Sequence, residues 1–240
     1  MQDLQLLGSR VRPATLAGEH LLPVLDPLVG LVPGGGLQRG SVVAVAGPGA
    51  TSLGLAVLAG ASGAGSWAAV VGVPTLGLIA AAEVGLDLDR VVLVAAPPTA
   101  QWTTVVAALA EAFELVLVRV THRVRPGEVR RLTARVRDRG GVLCHLPGRS
   151  GAWPDTPDLT FTVDDAVWRG VDAAAPGAGH LRSRRVMVTV DGRRAANRAR
   201  RAELWLPGPD GMVALARPVT EVGEPAVLAS AVDELHREAG

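Results

Sequence analysis

The chain of 240 residues contains no lysine and no tyrosine, and it has one cysteine and two phenylalanines. All 24 of its basic residues are therefore arginines, set against 23 acidic residues. The single cysteine, Cys144, excludes an internal disulfide framework and fits a reducing compartment. We expect it to be packed rather than reactive. The N-terminus lacks the basic segment and long apolar core of a signal peptide, so the sequence predicts a cytoplasmic protein.

Charge is also absent from residues 40–82, a stretch long enough to be considered as a membrane segment. Glycines and prolines divide this stretch into short pieces, which a membrane helix does not tolerate well. Buried parallel strands and the inner faces of helices explain it better. We therefore expect no association with a membrane.

A glycine loop follows the apolar run 41–46 and precedes an apolar segment of helical length. Strand, glycine loop and helix in this order form the phosphate-binding unit of nucleotide-binding α/β proteins. In either register of the pattern G-x-x-x-x-G-K-[ST], a leucine, Leu53 or Leu55, stands where the lysine belongs. The sequence therefore predicts a degenerate phosphate loop that holds no cofactor and no metal. Its residues are Gly47, Pro48, Gly49, Ala50, Thr51, Ser52, Leu53 and Gly54.

Two structural alternatives remain open for this loop: it is only a tight connection, or it is a nest of backbone N–H groups with weak affinity for anions. The same glycines approach the dinucleotide-binding pattern G-x-G-x-x-G, but the acidic residue that should follow the second strand is missing. Gly72 and Val73 stand at that position.

Apolar runs alternate with segments of helical length through residue 146. This alternation predicts an α/β fold with a mainly parallel sheet flanked by helices on both faces. The predicted strands are 41–46, 67–71, 91–94, 115–118 and 142–146. The predicted helices begin at about Thr51 and span 75–84, 99–113 and 126–139, with Thr99 as an N-cap and Pro126 in a first turn.

From residue 159 onwards the predicted strands, 159–163, 184–190, 202–206 and 212–216, follow one another without helices. They predict an antiparallel C-terminal extension. The expected organisation is a short N-terminal arm over 1–21 and a core over 22–217. The core includes the extension over 159–217, and an acidic helical tail follows over 218–240.

The arginines are concentrated in two segments, with eight in 119–139 and eight in 182–201, where Asp191 is the one acidic residue. The second group predicts a phosphate-tracking surface or, as readily, an ordinary solvated pair of strands. No aromatic residues interleave these arginines in the sequence, so any DNA binding should be weak and salt-sensitive. The candidate DNA-binding residues are Arg182, Arg184, Arg185, Arg193, Arg194, Arg198, Arg200 and Arg201.

Several motifs together resemble the core of the RecA recombinase between about residues 22 and 211. They are the segment 34–40 (GGGLQRG), the strand after it, Gly47-Pro48, and the segment 85–89 (GLDLD) with the strand that follows. The chain is most similar to the RecA-like accessory proteins of actinobacterial mutasomes, the ImuA′ type. The resemblance implies a RecA-like fold of the P-loop NTPase type. It also implies a role in SOS-induced, error-prone translesion DNA synthesis.

Two further departures from RecA concern the catalytic residues that the resemblance would place here. Arg119 stands at the position that resembles the Walker B aspartate, where a cation would repel magnesium. Gly72-Val73-Pro74 stands where the catalytic glutamate would follow the second strand, so no base orients an attacking water. Together with the missing lysine, these losses predict that the protein is not an enzyme.

The N-terminal arm is shorter than the segment with which RecA docks on its neighbour, so a filament of this chain alone is not expected. The resemblance implies that a partner, an ImuB-like Y-family polymerase homologue, supplies such a segment and adds a strand to a sheet edge. Through it the protein would meet the error-prone replicative-type polymerase and the sliding clamp. Helix 99–113 would lie beside the receiving edge, although the edge residues are also compatible with plain core. They are Val91, Val92, Leu93 and Val94.

Two other functions remain open at this point. One is an active P-loop ATPase, or a dinucleotide enzyme, with an unorthodox site. The other is a DNA-binding module that acts alone.

Overall fold

A computed structural model describes residues 21–148, 151–171, 179–193, 196 and 198–221. The predicted acidic tail lies almost entirely outside the described residues, and so do Arg194 and all but the last residue of the predicted N-terminal arm. None of the helices in the described part of the chain is long and apolar enough to cross a membrane.

Strands and helices alternate through the first two thirds of the described chain. The strands are β1 (Leu21–Pro23), β2 (Gly36–Gln38), β3 (Ser41–Ala46), β4 (Ala68–Val71), β5 (Val91–Val94), β6 (Leu115–Val120), β7 (Val142–Pro147), β8 (Leu159–Val171), β9 (Gly179–Gly192), β10 (Arg200–Trp205) and β11 (Ala214–Glu221). The α-helices are α1 (Asp26–Val29), α2 (Ala50–Gly63), α3 (Leu78–Glu83), α4 (Thr99–Ala112) and α5 (Pro126–Arg139).

Within the described residues, one sheet contains nine strands in the order β11-β10-β9-β8-β3-β7-β6-β4-β5. Strands β3 to β7 pair in parallel, and β8 to β11 pair with one another antiparallel. The predicted α/β fold with a C-terminal antiparallel extension is thus confirmed. One detail differs, because β8 also runs parallel to β3 and joins the two parts of the sheet.

Helices cover both faces of the parallel part of the sheet. Helix α2 packs on one face, where Leu53, Cys144 and Phe161 are buried. Helices α4 and α5 pack on the other face, where Trp102, Val129 and Leu132 are buried. Alternate residues of β3 and β7 face opposite cores, as the period of two requires.

The antiparallel part, for which the sequence predicted no covering helices, buries one face only. In β9, Val186, Val188 and Val190 are buried, whereas Arg185, Met187 and Thr189 between them are half-buried. This alternation is typical of antiparallel strands with one face open to solvent.

Several element boundaries differ from the predicted ones. Strands β8 and β9 form a hairpin that extends to Val171 and Gly179, beyond the apolar alternation that predicted shorter strands. A register shift between Val163 and Asp165 interrupts the alternation there. Helix α3 begins at Leu78 rather than residue 75, and Thr99 is the first residue of α4 rather than its N-cap.

Candidate functional site

The glycine loop lies at the carboxyl end of β3 and leads into α2. Gly47 and Gly49 have φ angles of 93° and 80°, in the left-handed region that glycine adopts without strain. A Cβ atom on Gly47 would overlap the carbonyl oxygen of Val163 in β8. The loop is thus packed closely against the neighbouring strand, and Gly49 forms the N-cap of α2 without a capping side chain.

Leu53 and Gly54, at the end of the predicted loop, belong to α2 and are buried in the core. Leu53, which stands at one of the two possible lysine positions, is fully buried in the same core as Phe161. Leu55, at the other position, is buried there as well. Both possible lysine positions are therefore occupied by buried leucines. The loop has no ammonium group of its own.

Arg119 contacts the loop from the carboxyl end of β6, two strands away from β3. Its Nη2 donates a hydrogen bond of 2.7 Å to Oγ1 of Thr51 in the first turn of α2. A guanidinium group therefore bonds the hydroxyl of the loop, and its charge repels a divalent cation there. The described residues contain no group of three or more histidine, cysteine, aspartate or glutamate side chains able to hold a metal ion.

Arg184 of β9 contacts the same loop from the other side. A Cβ atom on Gly49 would overlap Nη1 of Arg184, so the guanidinium group lies directly against the glycine backbone. Its Nε donates a hydrogen bond of 2.8 Å to the carbonyl oxygen of Leu206, and its Cζ lies 5.1 Å from the ring centre of Trp168. Arg184 is only 6% exposed. Burial lowers the pKa of this guanidinium from its ordinary value.

Two guanidinium groups thus lie at the N-terminus of α2, where the helix dipole is already positive. Neither forms a salt bridge with an acidic side chain of the described residues, and Nη2 of Arg184 has no hydrogen-bond partner there. The resemblance to RecA implied Arg119 near the loop, at the position of the Walker B aspartate. It did not predict Arg184, which was assigned to a DNA surface.

Strand β5 ends the sheet, and β4 is its single partner among the described strands. Val91 and Val94 pack partly against the two cores, whereas Val92 is exposed and Leu93 is 50% exposed. Leu78 and Ile79, in the crossover from β4 to β5, are exposed as well. The predicted partner-binding strand is therefore an edge strand with an apolar, accessible half.

The predicted DNA-binding arginines are not brought to one surface. Arg184 is buried, and Arg185 points to the opposite face of β9 and pairs with Glu203 at 3.0 Å. Arg201 pairs with Asp164 at 3.3 Å. Arg193 and Arg200 donate hydrogen bonds to backbone carbonyl oxygens of residues 157 and 32. Arg182 and Arg198 are exposed, and Arg194 lies outside the described residues.

Cys144 and His145 face opposite cores, so they do not form a thiol–imidazole pair. Cys144 is fully buried, and burial raises the pKa of its thiol to about 12. The expectation that it is packed is confirmed. His145 stacks on Trp153 with 4.7 Å between ring centres, and burial lowers the pKa of its imidazole to about 4.

Comparisons with known proteins agree with this architecture. A protein-family model described as the MT3502 N-terminal domain matches residues 30–155. The uncharacterised protein Rv3395c of Mycobacterium tuberculosis is 33% identical over 177 residues, which cover 68% of this chain and 80% of that protein. The crystal structure of the RadB recombinase aligns with a TM-score of 0.53 at 17% identity, over 82% of this chain and 97% of that chain. The last comparison shows the RecA-like fold alone.

Proposed function

The chain belongs to the family of the MT3502 N-terminal domain, and from this premise we propose that it is a non-catalytic RecA-fold adaptor of error-prone translesion DNA synthesis, of the ImuA′ type. In this role it captures an ImuB-like, Y-family polymerase homologue. Through that partner it meets the error-prone replicative-type polymerase and the sliding clamp. The RecA-like fold is shared with the RadB recombinase. In this chain we expect the fold to bind a protein partner instead of catalysing recombination.

The hydrogen bond from Arg119 to Thr51 is the main observation that supports the proposed absence of ATP hydrolysis. Phosphoryl transfer depends on a lysine and a magnesium ion that neutralise the charge on the β- and γ-phosphates. Here the first turn of α2 instead meets one guanidinium from β6 and a second from β9. Both side chains contact the loop, at Thr51 and at Gly49.

The exposed edge at β5 supports partner capture by strand addition. No described strand pairs with the outer side of β5, and Leu93 presents an apolar side chain at this edge. A partner segment that adds a strand gains backbone hydrogen bonds for affinity and side-chain contacts for specificity. Leu78 and Ile79 extend the apolar area in the crossover before β5.

The absence of catalysis is tested with purified protein, ATP and magnesium. We expect no saturable hydrolysis, and we expect ATP to leave the thermal unfolding midpoint unchanged, because the chain contains no lysine and its described part contains no cluster of metal-binding side chains. Saturable turnover that is lost in a Gly47 or Thr51 variant would contradict the proposal and favour an unorthodox ATPase.

Partner capture is tested by pull-down with the polymerase homologue. Leu93→Arg places a charge at the middle of the β5 edge and should abolish capture. Leu215→Arg is the matched control, because Leu215 lies in β11 at the opposite edge of the sheet and is similarly exposed, at 45% against 50%. Equal capture by both variants would place the interface elsewhere.

A further inference from the structure

The distal half of the β8–β9 hairpin, residues 166–171 and 179–185, is a basic part of the described chain. It contains four arginines and no acidic residue. The last pair between β3 and β8 joins Ala46 and Thr162, so the distal hairpin projects past the carboxyl end of β3. It stands beside the glycine loop, which Arg184 contacts.

The sheet register adds aromatic side chains that the sequence does not place near these arginines. Trp168 pairs across the strands with Arg184, and Trp205 of β10 pairs with Arg185. Arg169 and Arg185 lie over the ring of Trp205 at 5.9 and 5.8 Å. Each face of the hairpin therefore brings tryptophan and arginine together: Trp168 lies with Arg184 on one face, and Trp205 lies with Arg169 and Arg185 on the other.

One face of the distal hairpin leaves both kinds of side chain accessible. Trp168 is 43% exposed, with Arg184 packed against its ring as a support. Gly170 packs closely against β9, since a Cβ atom there would overlap the carbonyl oxygen of His180 and would lie 3.0 Å from the stem of Arg182. Arg182 is exposed and forms no ion pair with an acidic residue of the described chain. An exposed aromatic ring and an exposed guanidinium thus occupy neighbouring positions of the hairpin.

We propose that this face binds single-stranded DNA, with a base stacked on Trp168 and the sugar–phosphate backbone bound by Arg182. Stacking on an aromatic side chain requires an unpaired base, which a duplex does not offer. A surface with arginines and no carboxylate favours a polyanion. The inference extends the proposed adaptor function by adding direct contact with DNA, at a surface formed by β8 and β9, the first and second strands beyond β3 on the side of the sheet away from β5.

The test is fluorescence anisotropy of the full chain with a labelled thymidine oligonucleotide over a salt series. Trp168→Leu should weaken binding at least about fivefold, because it removes one stacked base. Arg182→Gln should reduce the slope of log affinity against log salt by about 0.7, the value for one phosphate contact on a single strand.

Matched controls are Trp67→Leu and Arg130→Gln. Trp67 is exposed to the same extent as Trp168, at 46%, but it precedes β4 at the opposite end of the sheet. Arg130 is an exposed residue of α5. Both controls should leave the affinity and the salt slope unchanged. Circular dichroism checks that each variant is folded, and Arg182→Gln keeps the test valid if Trp168→Leu unfolds the hairpin.

Equal affinity for duplex and single strand would overturn the inference, as would equal effects of the Trp168 and Trp67 substitutions. Failure to bind the oligonucleotide while the chain still captures its polymerase partner would overturn the inference alone. Loss of capture in Leu93→Arg, with oligonucleotide binding intact, tests the adaptor proposal separately.

Discussion

The two ends of the parallel strands use arginine in different ways. At the amino ends, the arginines face acidic partners: Arg39 pairs with Glu114 at 3.0 Å, and both Arg137 and Arg193 lie 3.9 Å from Asp158. At the carboxyl ends, Arg119 and Arg184 lie against the N-terminus of α2 and form no salt bridge within the described residues. The first end is electrically balanced, and the second carries an excess of positive charge.

The difference teaches that arginine content alone does not identify a binding surface in this chain. Open α/β sheets bind their ligands at the carboxyl ends of the strands. Placing uncompensated cations beside the positive end of a helix is unfavourable. The fold offsets that cost with packing, since Arg184 bonds a carbonyl oxygen and contacts Trp168.

The largest expected effect comes from filling the glycine loop. Gly47→Ala should destabilise the protein by about 3–4 kcal/mol. The new Cβ atom would overlap the backbone of Val163, and the alanine would have to adopt a positive φ. Gly65→Ala, at the amino end of β4, also has a positive φ but meets nothing within 4 Å. It should cost only about 1–2 kcal/mol. Urea unfolding measures both.

Gly49→Ala tests whether Arg184 is truly packed on the loop. Its cost should fall when it is combined with Arg184→Ala, because the obstacle is a side chain and not backbone. A cost equal to that of Gly65→Ala would show that the carboxyl end is no more crowded than the amino end.

The second prediction concerns pH. Burial lowers the pKa of His145 to about 4, whereas the same imidazole in the unfolded chain is protonated below about pH 6.5. Stability is therefore lost as pH falls from about 6.5 to about 4. The loss at about pH 5 relative to about pH 8 is about 2 kcal/mol.

At the amino ends, Glu114 gives the same sign in a lower window. A hydrogen bond from Ser66 is the main cause of its lowered pKa, followed in the same direction by Arg39. Its contribution is present above its ordinary pKa and is lost as pH falls below that value. Urea unfolding of His145→Gln at both pH values isolates the histidine. An unchanged pH dependence in this variant would contradict its assignment.

The parallel half of the sheet was predictable because its signals are local. The apolar runs of β3 and β5 and the proline-started helix α5 match the observed bounds. Arg119 was expected near the loop because the resemblance to RecA places it at the position of the Walker B aspartate, after the predicted strand 115–118; in the structure it lies near the end of β6.

Arg184 and Trp168 were not predictable in the same way. Their contact depends on the register of β8 against β9, which two register shifts alter. A single shift changes which side chains face each other. The sequence therefore gave no signal that Arg184 is buried and reaches Gly49, and it showed no aromatic residue among the arginines.

The third prediction removes the balance at the amino ends. Oδ2 of Asp158 accepts a hydrogen bond of 2.9 Å from the backbone N–H of Val42, and the carboxylate faces two arginines. Asp158→Asn keeps an acceptor but loses the charge, so it should cost about 1 kcal/mol. Chemical denaturation at low salt measures the loss. An unchanged stability would show that the two arginines do not depend on this carboxylate.

The smallest expected effect is the coupling between Arg39 and Glu114. Their side chains are 35% and 44% exposed, so solvent screens the pair, and a double-mutant cycle with Arg39→Gln and Glu114→Gln should give less than about 1 kcal/mol. The coupling should shrink further in about 1 M salt. Arg182→Gln, at the carboxyl end, should raise the stability slightly at low salt, whereas Arg39→Gln lowers it, since Arg182 has no acidic partner among the described residues and lies near other arginines. If Arg39→Gln and Arg182→Gln destabilise the protein equally at every salt concentration, the two ends of the sheet do not differ in charge balance. The electrostatic argument that the distal hairpin attracts a polyanion would then fail.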